Sequence, residues 1–210
     1  MILFILDLAG TAIFAITGAL KAIRHKLDWL GILVLAAITG VGGGVFRDLI
    51  LGNTPPAAFQ NEAYLILSLV AAILIIILFP LLTHDKAAPL RQFIMVGDAI
   101  GLGVFTFIGA YKGLEAGLGP VGVLFTGAVT SCGGGMIRDM LVKEIPALLK
   151  KDFYATASIM GSLLFLGLNK LGLPTWLVPF TVVFFTTSLR LFAMKMALSL
   201  PIPHSGKNKS

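Results

Sequence analysis

Charge is scarce in this 210-residue chain, and cysteine is nearly absent. Asp, Glu, Lys and Arg make up 12% of it, about half the roughly 25% of a soluble domain. With 57% hydrophobic residues and a mean hydropathy of +0.97, the composition excludes a soluble globule and predicts an integral membrane protein. Cys132 is the single cysteine, so no intrachain disulfide can form and the redox compartment stays open. It reads as a small packing residue rather than a nucleophile. No basic stretch precedes the first apolar run, which is therefore expected to remain as a span and not to be cleaved as a signal. There is no Walker motif and no HExxH. Gly101-Leu102-Gly103 follows no strand, which excludes a dinucleotide loop. His25, His84 and His204 are scattered through polar links without metal-ligand spacing, so no bound metal is expected beyond transient monovalent cations. No nucleophile–base pair is visible, so the chain is not read as an enzyme, and no cofactor is implied. The net charge of +6 fits basic cytoplasmic loops better than nucleic-acid binding.

What is present is apolar runs. A span needs about 20 mostly apolar residues, and seven stretches qualify or come close: 1–20, 29–51, 62–82, 92–110, 120–142, 153–168 and 174–198. Short polar links or turns join them, and a polar tail, 201–210, is expected to be disordered. No room is left for a soluble domain.

Two of these runs carry the same interruption. Gly42-Gly43-Gly44-Val45-Phe46-Arg47-Asp48 in the second run recurs as Gly133-Gly134-Gly135-Met136-Ile137-Arg138-Asp139 in the fifth, 91 positions later. The same offset pairs Asp7 with Asp98, Gly10 with Gly101, Phe14 with Phe105, Lys21 with Lys112, Thr39 with Thr130 and Pro55 with Pro146. Chance does not readily place Asp, Arg, Lys, Pro and a glycine triplet in one register. The chain therefore reads as an all-α polytopic membrane protein: a first three-helix repeat (1–82), a second (92–168) and a seventh transmembrane helix (174–198). Three spans are an odd number, so the second unit enters the membrane from the opposite side, and the repeats are inverted. Lys and Arg crowd the first, third and fifth links and the tail, which puts that side in the cytoplasm and the N-terminus outside.

Each glycine in a helix interior costs about 1 kcal/mol relative to alanine. The triplets are therefore expected to break the second and fifth helices, freeing carbonyls at one half-helix end and N–H groups at the next. Free carbonyls, with Thr39, Thr130 and Ser131 hydroxyls just before the breaks, suit monovalent cations. The alternative is that the glycines only let helices approach closely. Arg47 and Asp48 are adjacent and point about 100° apart on a helix, so each is expected to seek a partner elsewhere. The buried acids Asp7 and Asp98 are the candidates, giving ion pairs across the repeats for Arg47 and Arg138. Asp48 and Asp139 are placed on the ion path. Arg190 is read as snorkelling to the cytoplasmic surface, with an inward pair as the alternative. Lys143, Lys150 and Lys151 form a basic patch that suits anionic lipid headgroups, although topology signalling explains it equally well.

At these residues the chain resembles the prokaryotic TRIC family, the trimeric intracellular cation channels. Their bacterial members fall in a group also labelled UPF0126, which carries a glycine transporter domain label. The resemblance covers the first to the seventh span and rests on the doubled GGG-x-x-R-D. It implies a homotrimer in an inner or plasma membrane with one pore per subunit. It further implies permeation of K⁺ or Na⁺, chiefly K⁺, and a pore lined by the kinked second and fifth helices with the first and fourth. Carried onto this sequence, it points to Gly42 to Gly44, Gly133 to Gly135, Arg47, Asp48, Arg138 and Asp139, with Asp7 and Asp98 following by position. The basic stretch through which animal relatives bind a phosphoinositide has no counterpart at Pro89-Leu90-Arg91-Gln92. Inverted repeats with broken helices also occur in carriers. The alternative to a channel is thus a secondary transporter of a small zwitterion such as glycine.

Overall fold

The structure, a computed structural model, describes residues 2–82, 87–150, 153–196 and 198, without the side chains of 80–82, 87–91 and 150. The link residues His84 to Lys86, Lys151 and the tail 201–210 lie outside the described residues, as does the Lys150 side chain. All the regular structure described is helical: α1 (Ile2–Arg24), α2 (Trp29–Ile50), α3 (Ala57–Gln60), α4 (Ala63–Leu82), α5 (Ala87–Glu115), α6 (Pro120–Leu141), α7 (Ala147–Lys150), α8 (Tyr154–Lys170) and α9 (Leu177–Lys195). Five of them, α1, α2, α5, α6 and α9, have the length and hydropathy of membrane spans, and α4 is a shorter apolar helix. The four-residue helices α3 and α7 were not expected; they fold inside stretches read as links.

The boundaries follow local chemistry. Asp28 caps α2 by accepting from the Gly31 N–H at 2.7 Å. Pro120 opens α6 at a position whose N–H would have no helical partner. α1 and α5 end in the same turn: Leu27 N–H bonds the Ala22 carbonyl and Leu118 N–H bonds the Gly113 carbonyl, each at 3.1 Å. The residues before these donors, Lys26 (φ 57°) and Gly117 (φ 77°), are left-handed, which closes the helix end. The ends of α2 and α6 repeat the device with Gly52 (φ 74°) and Lys143 (φ 58°). All these positions keep the 91-residue offset.

α1, α2, α5 and α6 pack on one another; α4 lies against α1 and α2, while α8 and α9 lie against α5 and α6. Phe14, Phe105, Phe107, Ile108, Val123, Phe165 and Val182 form the main apolar core. A second core is built mostly from alanines of α1, α2 and α4. Large apolar side chains also point outward, among them Ile66, Ile73 and Ile77 of α4 and Phe180 and Phe184 of α9. Helices apolar on both faces belong in lipid.

The expected breaks at the glycine triplets are not there. α2 and α6 run as helix through Gly42–Gly44 and Gly133–Gly135. The reason is packing. A Cβ at Gly43 would collide with the Thr130 carbonyl oxygen, and one at Gly134 with the Thr39 carbonyl oxygen. The two helices cross backbone to backbone, and the contact offsets the poor helix propensity of glycine. Of the two readings of the triplets, close approach describes these helices.

Candidate functional site

Asp7, Phe14 and Lys21 are spaced by seven residues on α1, and Asp98, Phe105 and Lys112 by seven on α5. Seven residues are about two turns, so each set forms one stripe, acid to base over roughly 21 Å. The two helices carry their stripes in opposite senses. A cavity of about 600 Å³ lies where α1 begins and α5 ends, lined by Asp7, Arg47, Asp48, Asn53, Gln60, Tyr64 and Lys112 among others. A second, of about 450 Å³, lies where α1 ends and α5 begins, lined by Lys21, Arg24, Asp98, Arg138, Asp139 and Glu144. Between them Phe14 and Phe105 meet with ring centroids 5.0 Å apart, both buried.

The second cavity is locked by ion pairs. Arg138, buried on α6, donates from Nη1 to Asp98 Oδ1 at 2.7 Å and to Thr17 Oγ1 at 3.0 Å. Its Nε and Nη2 hold Asp139 Oδ1 at 3.0 and 2.9 Å. The other Asp139 oxygen accepts from the Ala147 N–H at 3.0 Å. Lys21 reaches across to Asp139 Oδ1 at 2.8 Å and Glu144 Oε2 at 2.9 Å. Tyr154 donates to Asp98 Oδ2 at 3.2 Å, and the Arg190 guanidinium sits 4.8 Å from the Tyr154 ring centroid. Burial alone would lift the Glu144 carboxyl. The Lys21 hydrogen bond and charge, with His25, outweigh it and hold Glu144 below the usual carboxylate range.

The first cavity has matching residues in a different arrangement. Arg47 binds Asp48 Oδ1 through Nε and Nη2, both at 2.8 Å, and the Ala57 N–H caps Asp48 Oδ2 at 2.9 Å. Asp7, however, accepts from Tyr64 Oη at 3.0 Å, and buried Arg47 Nη1 has no hydrogen-bond partner. Ile108 stands 91 positions after Thr17, so the hydroxyl that helps hold Arg138 has no counterpart here. Lys112 pairs with Glu115 at 2.6 Å, away from Asp48.

Several expectations are corrected. Arg47 and Asp48 do pair with each other, as do Arg138 and Asp139: the long arginine side chain folds back over the helix to its neighbour. The Arg138–Asp98 pair lies within the second repeat. The polar contacts that join the repeats include Lys21–Asp139, Lys21–Glu144, His25–Glu144 and Arg138–Thr17. Arg190 is buried, not snorkelling. The Thr39 and Thr130 hydroxyls are buried and turn back to the Leu35 and Thr126 carbonyls, and Ser131 bonds Gly127 and Ser158. None of the three lines either large cavity. Of the six triplet glycines, Gly44 borders a small pocket of about 10 Å³ beside Asp7 and Arg47. Lys143 is exposed. Lys21, Glu144, His25, Tyr64 and Tyr154 were missed as site residues. Lys21 was already visible in the repeat register but read as a loop charge, and Glu144 is one of two acids, with Asp152, in a link of net positive charge.

Similarity to known proteins agrees with this architecture. The family model described as Glycine transporter matches residues 4–80 and again 95–170. The UPF0126 inner membrane protein YadS of Escherichia coli K12 is 36% identical over 206 residues, covering 96% of each chain. Among solved structures, the TRIC trimeric intracellular cation channel orthologue from Rhodobacter sphaeroides superposes with a TM-score of 0.86 at 34% identity, covering 94% of this chain and 99% of that one. A prokaryotic TRIC channel in 0.5 M KCl gives 0.88 at 32% identity, with 95% and 99% covered. The chain is a multi-pass membrane protein, and it belongs to the family that joins the UPF0126 bacterial membrane proteins to the prokaryotic TRIC channels.

Proposed function

We propose that the protein is a monovalent cation channel, K⁺-preferring, with one conduction path through each subunit of a homotrimer. The observation that carries this reading is the pair of polar cavities at opposite ends of the α1/α5 stripe, each lined by at least one buried aspartate. Their matched residues at opposite ends, and the two matches to one family model, support two inverted three-helix units. The path runs from the first cavity past Asp7 to Phe14 and Phe105, then to Asp98, Lys21 and Asp139. It is interrupted twice as it stands, at the Phe14–Phe105 contact and where Lys21 occupies Asp139. Conduction requires both side-chain contacts to open. Carboxylates along the way offset the cation's lost hydration. The glycine crossing of α2 and α6 supplies the hinge-free wall, so the ion path follows the α1/α5 stripe and not freed carbonyls. The cation activity and trimeric assembly of the similar solved channels support the same reading.

Purified protein in a planar bilayer tests it. Discrete current steps are expected in mixed KCl and NaCl with a reversal potential displaced toward K⁺. Asp7→Asn removes a charge from the open cavity and should cut cation conductance by about threefold. One observation favours a second reading, a carrier for a small zwitterion: unpartnered Arg47 Nη1 and Asp7 share the first cavity and suit a carboxylate and an amine. Saturable glycine uptake into proteoliposomes without unitary currents would select the carrier.

A further inference from the structure

The turn after α1 and the link after α6 build a titratable site on Glu144, which lines the second cavity. His25 follows the last residue of α1 and is partly exposed. Its Nδ1 lies 2.9 Å from the Lys21 carbonyl oxygen, and its Nε2 lies 2.9 Å from Glu144 Oε1. Neither neighbour can donate: a carbonyl oxygen only accepts, and so does an ionised carboxylate. A neutral imidazole has one N–H. It can satisfy one of these contacts and must set a lone pair against oxygen at the other. The imidazolium satisfies both. Glu144, held in its ionised form by Lys21 and His25, passes the interaction inward. Its second oxygen accepts from Lys21 Nζ, which also sits on Asp139, the partner of Arg138.

The charged groups that share the turn of His25, its ion pair or the second cavity are Lys21 and Arg24 of α1, Lys26 and Asp28 of the turn, Lys143 and Glu144 of the α6–α7 link, Asp139 and Arg138 of α6, and Asp98 of α5. Among the described residues, Glu144 forms the ion pair with the ring.

We propose that His25 is a proton-binding site that sets the charge at the second cavity and thereby the cation flux. The flux consequence rests on the channel reading; proton binding does not. With His25 protonated, the chain His25–Glu144–Lys21–Asp139 is neutral, and Glu144 is pinned in place to hold Lys21 over Asp139. Loss of the proton leaves one net negative charge and withdraws a hold on Glu144. The cavity then attracts cations, and the Lys21 latch loses part of its support. One unit charge at about 8 Å in water changes the local cation concentration about 1.5-fold at about 0.1 M salt and about twofold at about 0.01 M.

The test is conductance of the purified full chain, with pH varied from about 5.5 to about 8 on the side where the second cavity opens. At about 0.01 M salt, conductance should rise about twofold with pH from that side and not from the other. His25→Gln, permanently neutral, should stay at the high level, and His25→Arg, permanently charged, at the low level. A wild-type pH profile in His25→Gln would overturn the proposal, as would flux that falls with rising pH. Nitrogen NMR of histidine-labelled protein, with His25→Gln for assignment, reads the site without any current. Both ring nitrogens should carry protons on the acid side, and one should lose its proton on the basic side. A ring that stays in one state throughout overturns the site. Absence of current at every pH from every variant would overturn the channel reading, while the NMR titration still decides the proton site.

Discussion

At the scale of single residues, the consequence of burial is that charges here cannot be removed singly. Arg138 is among the largest fully buried side chains, and it pairs with Asp98 and with Asp139, which it shares with Lys21. Asp98→Asn leaves that guanidinium short of an anion, and the expected loss is about 3 kcal/mol, read as a lowered unfolding midpoint in detergent. Arg138→Met in the same background should recover part of it, because the uncompensated charge is then gone. Glu144 is different, being 40% exposed at its side chain. Its folded pKa is depressed, so its stabilising effect is complete above the ordinary glutamate value of about 4.3. It is lost as pH falls through the lower folded value. Solvent screening keeps the effect under about 1 kcal/mol. Thermal unfolding measured against pH should show wild type and Glu144→Gln converging at the acid end and separating above the ordinary value.

At the scale of elements, the glycine triplets act through the distance between α2 and α6. Gly43 and Gly134 face the opposing backbone, whereas a Cβ at Gly167, on the outer side of α8, meets nothing within 4 Å. Gly43→Ala should therefore force the two helices apart and cost about 1–3 kcal/mol as an overpacked contact. Gly167→Ala should gain up to about 1 kcal/mol from helix propensity. Opposite shifts of the unfolding midpoint for one substitution type would separate packing from propensity; equal shifts would show that Gly43 is not a contact residue. The triplets were legible as a paired feature because the register of the repeat exposed them. Their conformation was not legible, because propensity predicts a break and only the neighbouring backbone decides whether a helix survives it. Arg47 and Arg138 teach the same lesson: the 100° rule fixes where Cβ points, not where a guanidinium several bonds further on comes to rest.

For the molecule as a whole, the basic links predict the side on which each cavity opens. Single cysteines placed in a Cys132→Ser background at Glu115 and at Glu144 probe the two ends. A membrane-impermeant thiol reagent added to intact cells should label position 115 and not 144 until the membrane is permeabilised. The reverse pattern would invert the orientation drawn from the loop charges. Outward-facing apolar side chains on α4 and α9 leave the helix bundle with broad faces suited to lipid.

The amino-acid sequence alone determined the membrane environment, the all-helical class and five of the spans, because hydropathy is carried by residue type along each run. It also marked Asp98, Arg47 and Arg138 as buried charges, since ionised groups inside apolar runs must find partners; Asp7, read the same way, is half-buried. Tertiary structure decided which partners they found. Lys21 joins Asp139 from 118 residues away, Tyr154 reaches Asp98 across 56, and the glycines become a crossing instead of a gap. Such choices depend on distances between helices, and those distances are set by the whole packing at once, not by any local run of residues.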